Sequence, residues 1–319
     1  MKFLITGVAG FLGSSCAEKF LELGHEIIGI DSLVHGGTKE NLLSHKDYRF
    51  FYIDIAKEWY KLLELNLKDV DVCFHFAAKA RIQPSIIDPR STIENNIMCD
   101  FNTLELCRRN NINKIIYACS STSYGLNPIP CVEDSKPDLL APYSVSKHVG
   151  EMFCKSWGKI YGIKNVCLKY FNAYGPKSAL TQGAYSPVIG LWFKNILEEK
   201  KPISIVEDGH LKRRDYTYVD DIIDANLKAF SNIDNINGET INIGKGQNYS
   251  VYEVAGLIKK ELLKYNIKTE TRTIPKRPGE ALETLADISK AKRLLDWEPK
   301  ISLEEGIQKL TPFYIKKFS

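Results

Sequence analysis

Six short apolar runs, at residues 2–6, 26–30, 48–53, 70–76, 114–119 and 164–171, alternate with stretches whose apolar residues recur at helical spacing. That alternation restricts the topology severely. Strands joined through helices run parallel, and a parallel sheet must be covered on both faces. The expected fold is therefore α/β, a Rossmann-type doubly wound parallel sheet. At 319 residues the chain exceeds the usual size of one core, which predicts a second, smaller lobe of mixed α/β character. After Gly175-Pro176 the pattern shifts to polar turns, a loop from Lys177 to Gly183 and shorter elements. The boundary is placed there, with residues 1–175 as the first lobe and 176–319 as the second. The run at 239–243 reads as a buried strand that returns to the first sheet. Ile93, Ile97, Phe101, Leu104 and Cys107 predict one long helix.

The turn between the first apolar run and the first helical segment carries Gly7, Gly10 and Gly13. Glycines at this spacing permit a tight turn, a close approach of backbone N–H groups to a pyrophosphate, and tight packing of helix on strand. Gly24 closes the helix, and the next apolar run ends at Asp31. A carboxylate about 20 residues past the turn accepts hydrogen bonds from adenosine ribose hydroxyls and repels a 2′-phosphate, so the expected cofactor is NAD rather than NADP.

Composition narrows the class further. A net charge of +4, with both signs interspersed, points to neither a nucleic-acid nor a membrane partner. The eight cysteines sit mostly in apolar runs without a C-x-x-C pair, which reads as buried thiols in a reducing, cytoplasmic setting and not as a disulfide frame or a metal site. No apolar run is long enough to span a bilayer.

Pro142 opens a helical segment in which Tyr143 and Lys147 stand four apart and share a face. A phenol with an ordinary pKa of about 10 serves as a base at neutral pH only beside a cation, and Lys147 is spaced to supply one. The same spacing also occurs on exposed helices with no catalytic meaning. Upstream, the run ending at Cys119 leads into Ser120-Ser121-Thr122-Ser123-Tyr124-Gly125, a cluster of hydroxyls at the carboxyl edge where open α/β sheets bind ligands.

Together these elements resemble the extended short-chain dehydrogenase/reductase superfamily, and within it the NAD-dependent nucleotide-sugar epimerases and dehydratases, most closely the UDP-glucose and UDP-N-acetylglucosamine 4-epimerases. The matching stretches run almost end to end: the glycine turn, Asp31, Asp54-Ile55, His75-Phe76-Ala77-Ala78, the hydroxyl cluster, Tyr143 with Lys147, Leu168 to Pro176, Arg213 to Tyr216, and Arg277-Pro278-Gly279-Glu280. The resemblance implies Ser120, Tyr143 and Lys147 as catalytic residues. It implies cofactor contacts at Gly7, Gly10, Phe11, Leu12, Gly13, Asp31, Asp54, Ile55, Ala77, Ala78, Lys79, Asn95 and Phe171, besides Tyr143 and Lys147. For the nucleotide sugar it implies Ser85, Ser121, Thr122, Asn172, Arg214, Arg277, Glu280 and Thr284. Thr284 stands where epimerases limited to non-acetylated hexoses carry Tyr, so an N-acetyl group is expected to fit. A homodimer, formed through the helices that hold Ile93 to Cys107 and Tyr143 to Lys159, is implied as well.

Three departures stand out. Lys169 replaces the usual Arg, Cys99-Asp100 replaces the usual Gly-Thr, and Arg81-Ile82-Gln83-Pro84-Ser85 varies the usual substrate loop. The Cys99-Asp100 change is expected to affect helix packing and to leave the cofactor site alone. The expected reaction is 4-epimerisation of a UDP-sugar, UDP-GlcNAc/UDP-GalNAc and also UDP-Glc/UDP-Gal, through a transient 4-keto sugar. Rival readings are a 4,6-dehydratase, an epimerase or decarboxylase acting on UDP-glucuronate, and a non-catalytic NAD-sensing regulator. Ser121-Thr122 argue against the dehydratase, which needs Asp-Glu after its catalytic hydroxyl.

Overall fold

A computed structural model describes residues 1–180 and 187–318 of the chain. The first part runs β1 (Lys2–Thr6), α1 (Phe11–Glu22), β2 (Glu26–Asp31), β3 (Tyr48–Tyr52), α2 (Trp59–Leu63), β4 (Val72–His75), α3 (Ile82–Ile87), α4 (Pro89–Arg109), β5 (Lys114–Ser120), α5 (Pro142–Tyr161) and β6 (Lys164–Tyr170). There follow α6 (Val188–Leu197), β7 (Ile203–Val206), β8 (Arg213–Asp215), α7 (Val219–Ser231), β9 (Thr240–Ile243), β10 (Asn248–Ser250), α8 (Val251–Leu263), β11 (Thr271–Ile274), α9 (Ser289–Leu295) and α10 (Leu303–Phe318).

Seven strands form one parallel sheet in the order β3-β2-β1-β4-β5-β6-β9. Strand order reverses between β1 and β4, which opens a crevice at their carboxyl ends. Alternation along each strand divides the core between the two faces. Phe3, Ile5, Val72, Phe74, Ile116, Val166 and Leu168 face one side, with Trp192, Phe193, Leu310 and Tyr314 from the later elements in the same cluster. Leu4, Cys73, Tyr117, Cys119 and Cys167 face the other, against Cys99, Cys107 and Cys154 from α4 and α5. All eight cysteines are buried and free. The later elements add two small sheets, β8 with β10 and β7 with β11.

Local chemistry sets the two helices that matter most. Asp88 caps α4 by accepting from Ser91 N, and Pro89 takes its first position. Pro142 opens α5, and Gly162 ends it in a left-handed conformation at φ 73°. The helix read from Ile93 to Cys107 lies wholly within α4, which is continuous through Cys99 and Asp100. Pro176–Leu180 forms a 3₁₀ turn, and the remainder of the loop read from the sequence, 181–183, lies outside the described residues. No helix among the described residues is long and apolar enough to cross a membrane.

Candidate active site

The glycine turn is a cradle that no larger residue would fit. A Cβ on Gly7, which has φ 71°, would sit 2.7 Å from Ala77 N, and one on Gly13 would sit 2.2 Å from the Gly7 carbonyl oxygen. No side chain caps α1, so its first N–H groups, at Phe11, Leu12 and Gly13, are left for an incoming anion. Phe11 itself is buried.

Beside this turn lies an open cavity. Of the residues assigned to the cofactor, Gly7, Gly10, Asp31, Asp54, Ile55, Ala77, Ala78 and Asn95 line it. They come from the ends of β1, β2 and β4, the segment after β3, and α4. Burial pushes the Asp31 carboxyl up, while the N–H groups of Leu33 (2.8 Å) and Ala9 (3.0 Å) hold it down. Lys79 turns elsewhere: its ammonium donates to the Ser91 hydroxyl, and its N–H donates to Asn96 Oδ1 at 2.7 Å. The Phe171 ring is fully buried, stacked on Tyr124 at 6.0 Å, outside the cavity lining.

Seven lining residues were not among those the sequence reading assigned to the cofactor: Ser32, His35, Gly37, Ile53, Ala56, Phe76 and Cys99. Gly37 carried a local signal as one of a glycine pair shortly after Asp31; its Cβ would meet the Asp31 carboxylate at 2.6 Å. Cys99 had a positional one, being a helical turn after Asn95. Its presence in the lining corrects the expectation that the Cys99-Asp100 change would spare the cofactor site and disturb the helix. The Cys99 thiol instead reaches the Ala77 carbonyl at 3.8 Å, because α4 lays that face along the cavity floor.

Tyr143 and Lys147 share a face of α5. Lys147 is buried, with Nζ 4.0 Å from the centre of the Tyr117 ring. Ser120 ends β5; its hydroxyl pairs with Thr122 Oγ1 at 3.0 Å and accepts from Thr122 N at 3.3 Å. Arg81, at φ 107°, is half-buried, and burial holds its guanidinium below the ordinary arginine value. Ser121 is buried, and Ser85 points its hydroxyl at the Ile82 carbonyl (2.7 Å), within α3.

The remaining substrate candidates gather around β8. Asn172 donates to the Asp215 carbonyl at 2.8 Å and reaches Thr284 Oγ1 at 3.4 Å. Arg214 donates to the carbonyls of Ala281 (2.7 Å) and Leu282 (2.8 Å) and lies 3.7 Å from Glu280. Glu280 also holds buried Lys212 at 2.9 Å and receives Gln83 at 3.3 Å, which ties the varied substrate loop to the Pro278–Glu280 segment. Arg277 is exposed. Lys169, in place of the usual Arg, is buried 3.7 Å from Glu151 and 4.5 Å from the Tyr124 ring centre.

The sequence model of the family described as GDP-mannose 4,6 dehydratase matches residues 4–310. Among solved structures, the UDP-glucose 4-epimerase of Thermotoga maritima with UDP-glucose superposes with a TM-score of 0.91 at 31% identity, over 100% of both chains. The UDP-glucuronic acid 4-epimerase of Bacillus cereus, in complex with UDP-glucuronic acid and NAD, gives 0.88 at 32%, again over 100% of both. This chain belongs to the NAD-dependent nucleotide-sugar epimerases of the extended short-chain dehydrogenase/reductase superfamily. The UDP-N-acetylglucosamine 4-epimerase of Methanobrevibacter ruminantium gives 0.87 at 29%, over 99% of this chain and 98% of that one. The three relatives are thus named for three different sugars on one frame. In this epimerase the glycine cradle, the uncapped α1 and the cavity bearing Asp31 fit NAD, and Asp31 is joined to the turn itself by the hydrogen bond from Ala9 N at 3.0 Å.

Proposed function

We propose that this epimerase inverts C4 of a UDP-sugar, with UDP-GlcNAc/UDP-GalNAc as its preferred pair and UDP-Glc/UDP-Gal also accepted. The observation that carries the reading is the buried Lys147, held on the same face of α5 as Tyr143 in a fold whose switch-point cavity is lined by Gly7, Gly10 and Asp31. NAD, when bound, supplies a reversible hydride acceptor at C4. Tyr143 takes the proton of the 4-hydroxyl, Lys147 holds the nicotinamide ribose, and Ser120 hydrogen-bonds the same sugar oxygen. Arg277 and Arg214 hold the diphosphate with Asn172, and Ser85, Ser121 and Thr122 border the sugar. Arg277, Arg214 and Asn172 would keep the nucleotide clamped while the 4-keto sugar turns, so that either face of C4 can be presented. Thr284 supports the acetylated pair, since its small side chain is drawn toward β8 by Asn172 and by Asp215 N (3.4 Å).

The same reading assigns dinucleotide binding to residues 1–175 with the returning strand β9, and nucleotide-sugar binding to 176–319. It also makes the molecule a homodimer, for α4 and α5 leave Phe101 and Met152 exposed on their outer faces. A second reading, UDP-glucuronate, draws on Arg81 in the varied substrate loop: a guanidinium would pair with a C6 carboxylate through two hydrogen bonds.

The deciding experiment incubates the protein with UDP-, GDP-, CDP- and dTDP-sugars, UDP-glucuronate included, and identifies products by NMR. A 4-epimer of UDP-GlcNAc is expected, with kcat lowered about a thousandfold in Tyr143→Phe while fold and bound NAD persist. A dehydrated ketone, a pentose, or normal turnover by Tyr143→Phe would refute the assignment.

A further inference from the structure

Beneath the cavity runs a chain of buried polar groups to which the proposed reaction assigns no part. Thr6, His75, Asp100, Tyr117 and Lys147 are each at most 3% exposed. Ala77 N lies 3.4 Å from Thr6 Oγ1, Thr6 Oγ1 lies 2.5 Å from His75 Nδ1, and His75 Nε2 lies 2.8 Å from Asp100 Oδ1. Tyr117 donates its hydroxyl to Asp100 Oδ2 at 2.9 Å, and its ring lies under the Lys147 ammonium. Burial holds His75 below its ordinary value and Tyr117 above its own, so the imidazole is neutral and the phenol protonated. The directions of donation follow: Ala77 N–H to Thr6, the Thr6 hydroxyl to Nδ1, Nε2–H to Asp100, and the Tyr117 hydroxyl to Asp100. The line converges on the Asp100 carboxylate, and the Tyr117 hydroxyl also lies 3.5 Å from the Lys147 carbonyl oxygen.

We infer that Asp100 is a positioning residue for Lys147, acting through the Tyr117 phenol that it anchors. A hydroxyl that donates to a carboxylate leaves its ring richer in electron density, and that ring face is what the ammonium meets. Lysine has a flexible four-carbon stem, so an unclamped Lys147 would sample many positions under the cavity. The packing of α5 is shaped to this contact. At Gly150 a Cβ would lie 2.0 Å from Tyr117 Oη and 2.2 Å from Asp100 Oδ2, so only glycine lets the carboxylate and phenol meet against the helix one turn beyond Lys147. His75 and Thr6 hold the opposite carboxylate oxygen and tie it to the cavity wall at Ala77. The inference rests on the proposed role of Lys147, but its test has a readout that needs no substrate.

The test uses Asp100→Asn and Tyr117→Phe, the latter removing one hydroxyl only. Acylation of Lys147 by acetic anhydride in the cofactor-free protein, followed by peptide mass spectrometry, reports how tightly the amine is held. Buried Lys169 and Lys212 serve as internal controls. Lys147 labelling is expected to rise about fivefold in both variants while the two controls stay within about twofold. With the sugar accepted by the wild type, kcat should fall about tenfold at nearly constant KM, and adding Lys147→Met should make either variant no worse than Lys147→Met alone. Unchanged Lys147 labelling, or a parallel rise at all three lysines, overturns the inference. If Asp100→Asn does not fold, Tyr117→Phe decides it alone. If the wild type turns over no nucleotide sugar, the proposed function fails and the labelling still judges Asp100.

Discussion

The surroundings of the glycine turn and those of β8 are built by different physical means. At the turn the means is backbone geometry: Gly7 and Gly13 admit no side chain, α1 offers its own N–H groups, and Asp31 is braced by the N–H groups of Ala9 and Leu33. Around β8 it is long side chains reaching across the sequence, Arg214 to the carbonyls of Ala281 and Leu282, Asn172 to Asp215 and Thr284, Gln83 to Glu280. A backbone site is built as soon as its strands pair, and it has no rotamers to lose. A side-chain site is adjustable by substitution, which suits a family whose members share a frame and differ in sugar.

Substitutions should therefore separate the two regions. The largest effect is expected for Gly13→Ala, whose Cβ would collide with the Gly7 carbonyl at 2.2 Å. Fold stability should drop by about 2–3 kcal/mol and NAD affinity should drop with it. A calorimetric titration in which NAD still bound normally would break the contrast. Arg214→Ala should instead leave NAD affinity alone and raise KM for the nucleotide sugar about tenfold, since it frees the 281–282 segment as well as removing a cation. Loss of NAD binding in that variant would show the two regions to be one. Thr284→Tyr should lower kcat/KM for the acetylated pair about tenfold and spare UDP-Glc. Equal turnover of both pairs would remove the size argument.

The smallest effect concerns acid stability. Burial alone would push the Glu151 carboxyl up, yet the Lys169 charge and hydrogen bonds from Lys155 and Thr240 bring it down to about 2. A folded value below the ordinary carboxylate range contributes stability in full above about pH 4.5, and the contribution is lost as pH falls toward 2. Glu151→Gln should flatten that part of the pH–stability profile in denaturant titrations. The half-exposed Arg213–Glu253 pair near β8 is the comparison, and Arg213→Gln should change stability by under about 1 kcal/mol at any pH. Equal acid sensitivity in both variants would erase the difference between the regions.

Much of the molecule was readable from local pattern. The six apolar runs became the first six strands of the sheet, and the Ile93–Cys107 spacing fell inside α4. Eight of the residues assigned to the cofactor line one cavity, because parallel strands deliver their carboxyl ends to one edge wherever the period is regular. Less was readable where side-chain direction mattered. Phe171 sits in a matching stretch and Lys79 directly after one, yet Lys79 turns to Ser91 and Phe171 to Tyr124. Cys99 read as a packing change and proved to be part of the cavity lining.

Periodicity and glycine spacing by themselves determined the parallel sheet, the anion-binding turn and the helix that carries Tyr143 with Lys147, since each is a relation between residues close in the chain. Tertiary structure decided which distant side chains meet: Asp100 with His75 and Tyr117, Arg214 with Ala281 and Leu282, Asn172 with Thr284. Such pairs are selected by burial, where a polar group without a partner is expensive, and burial is a property of the assembled fold that no local pattern encodes.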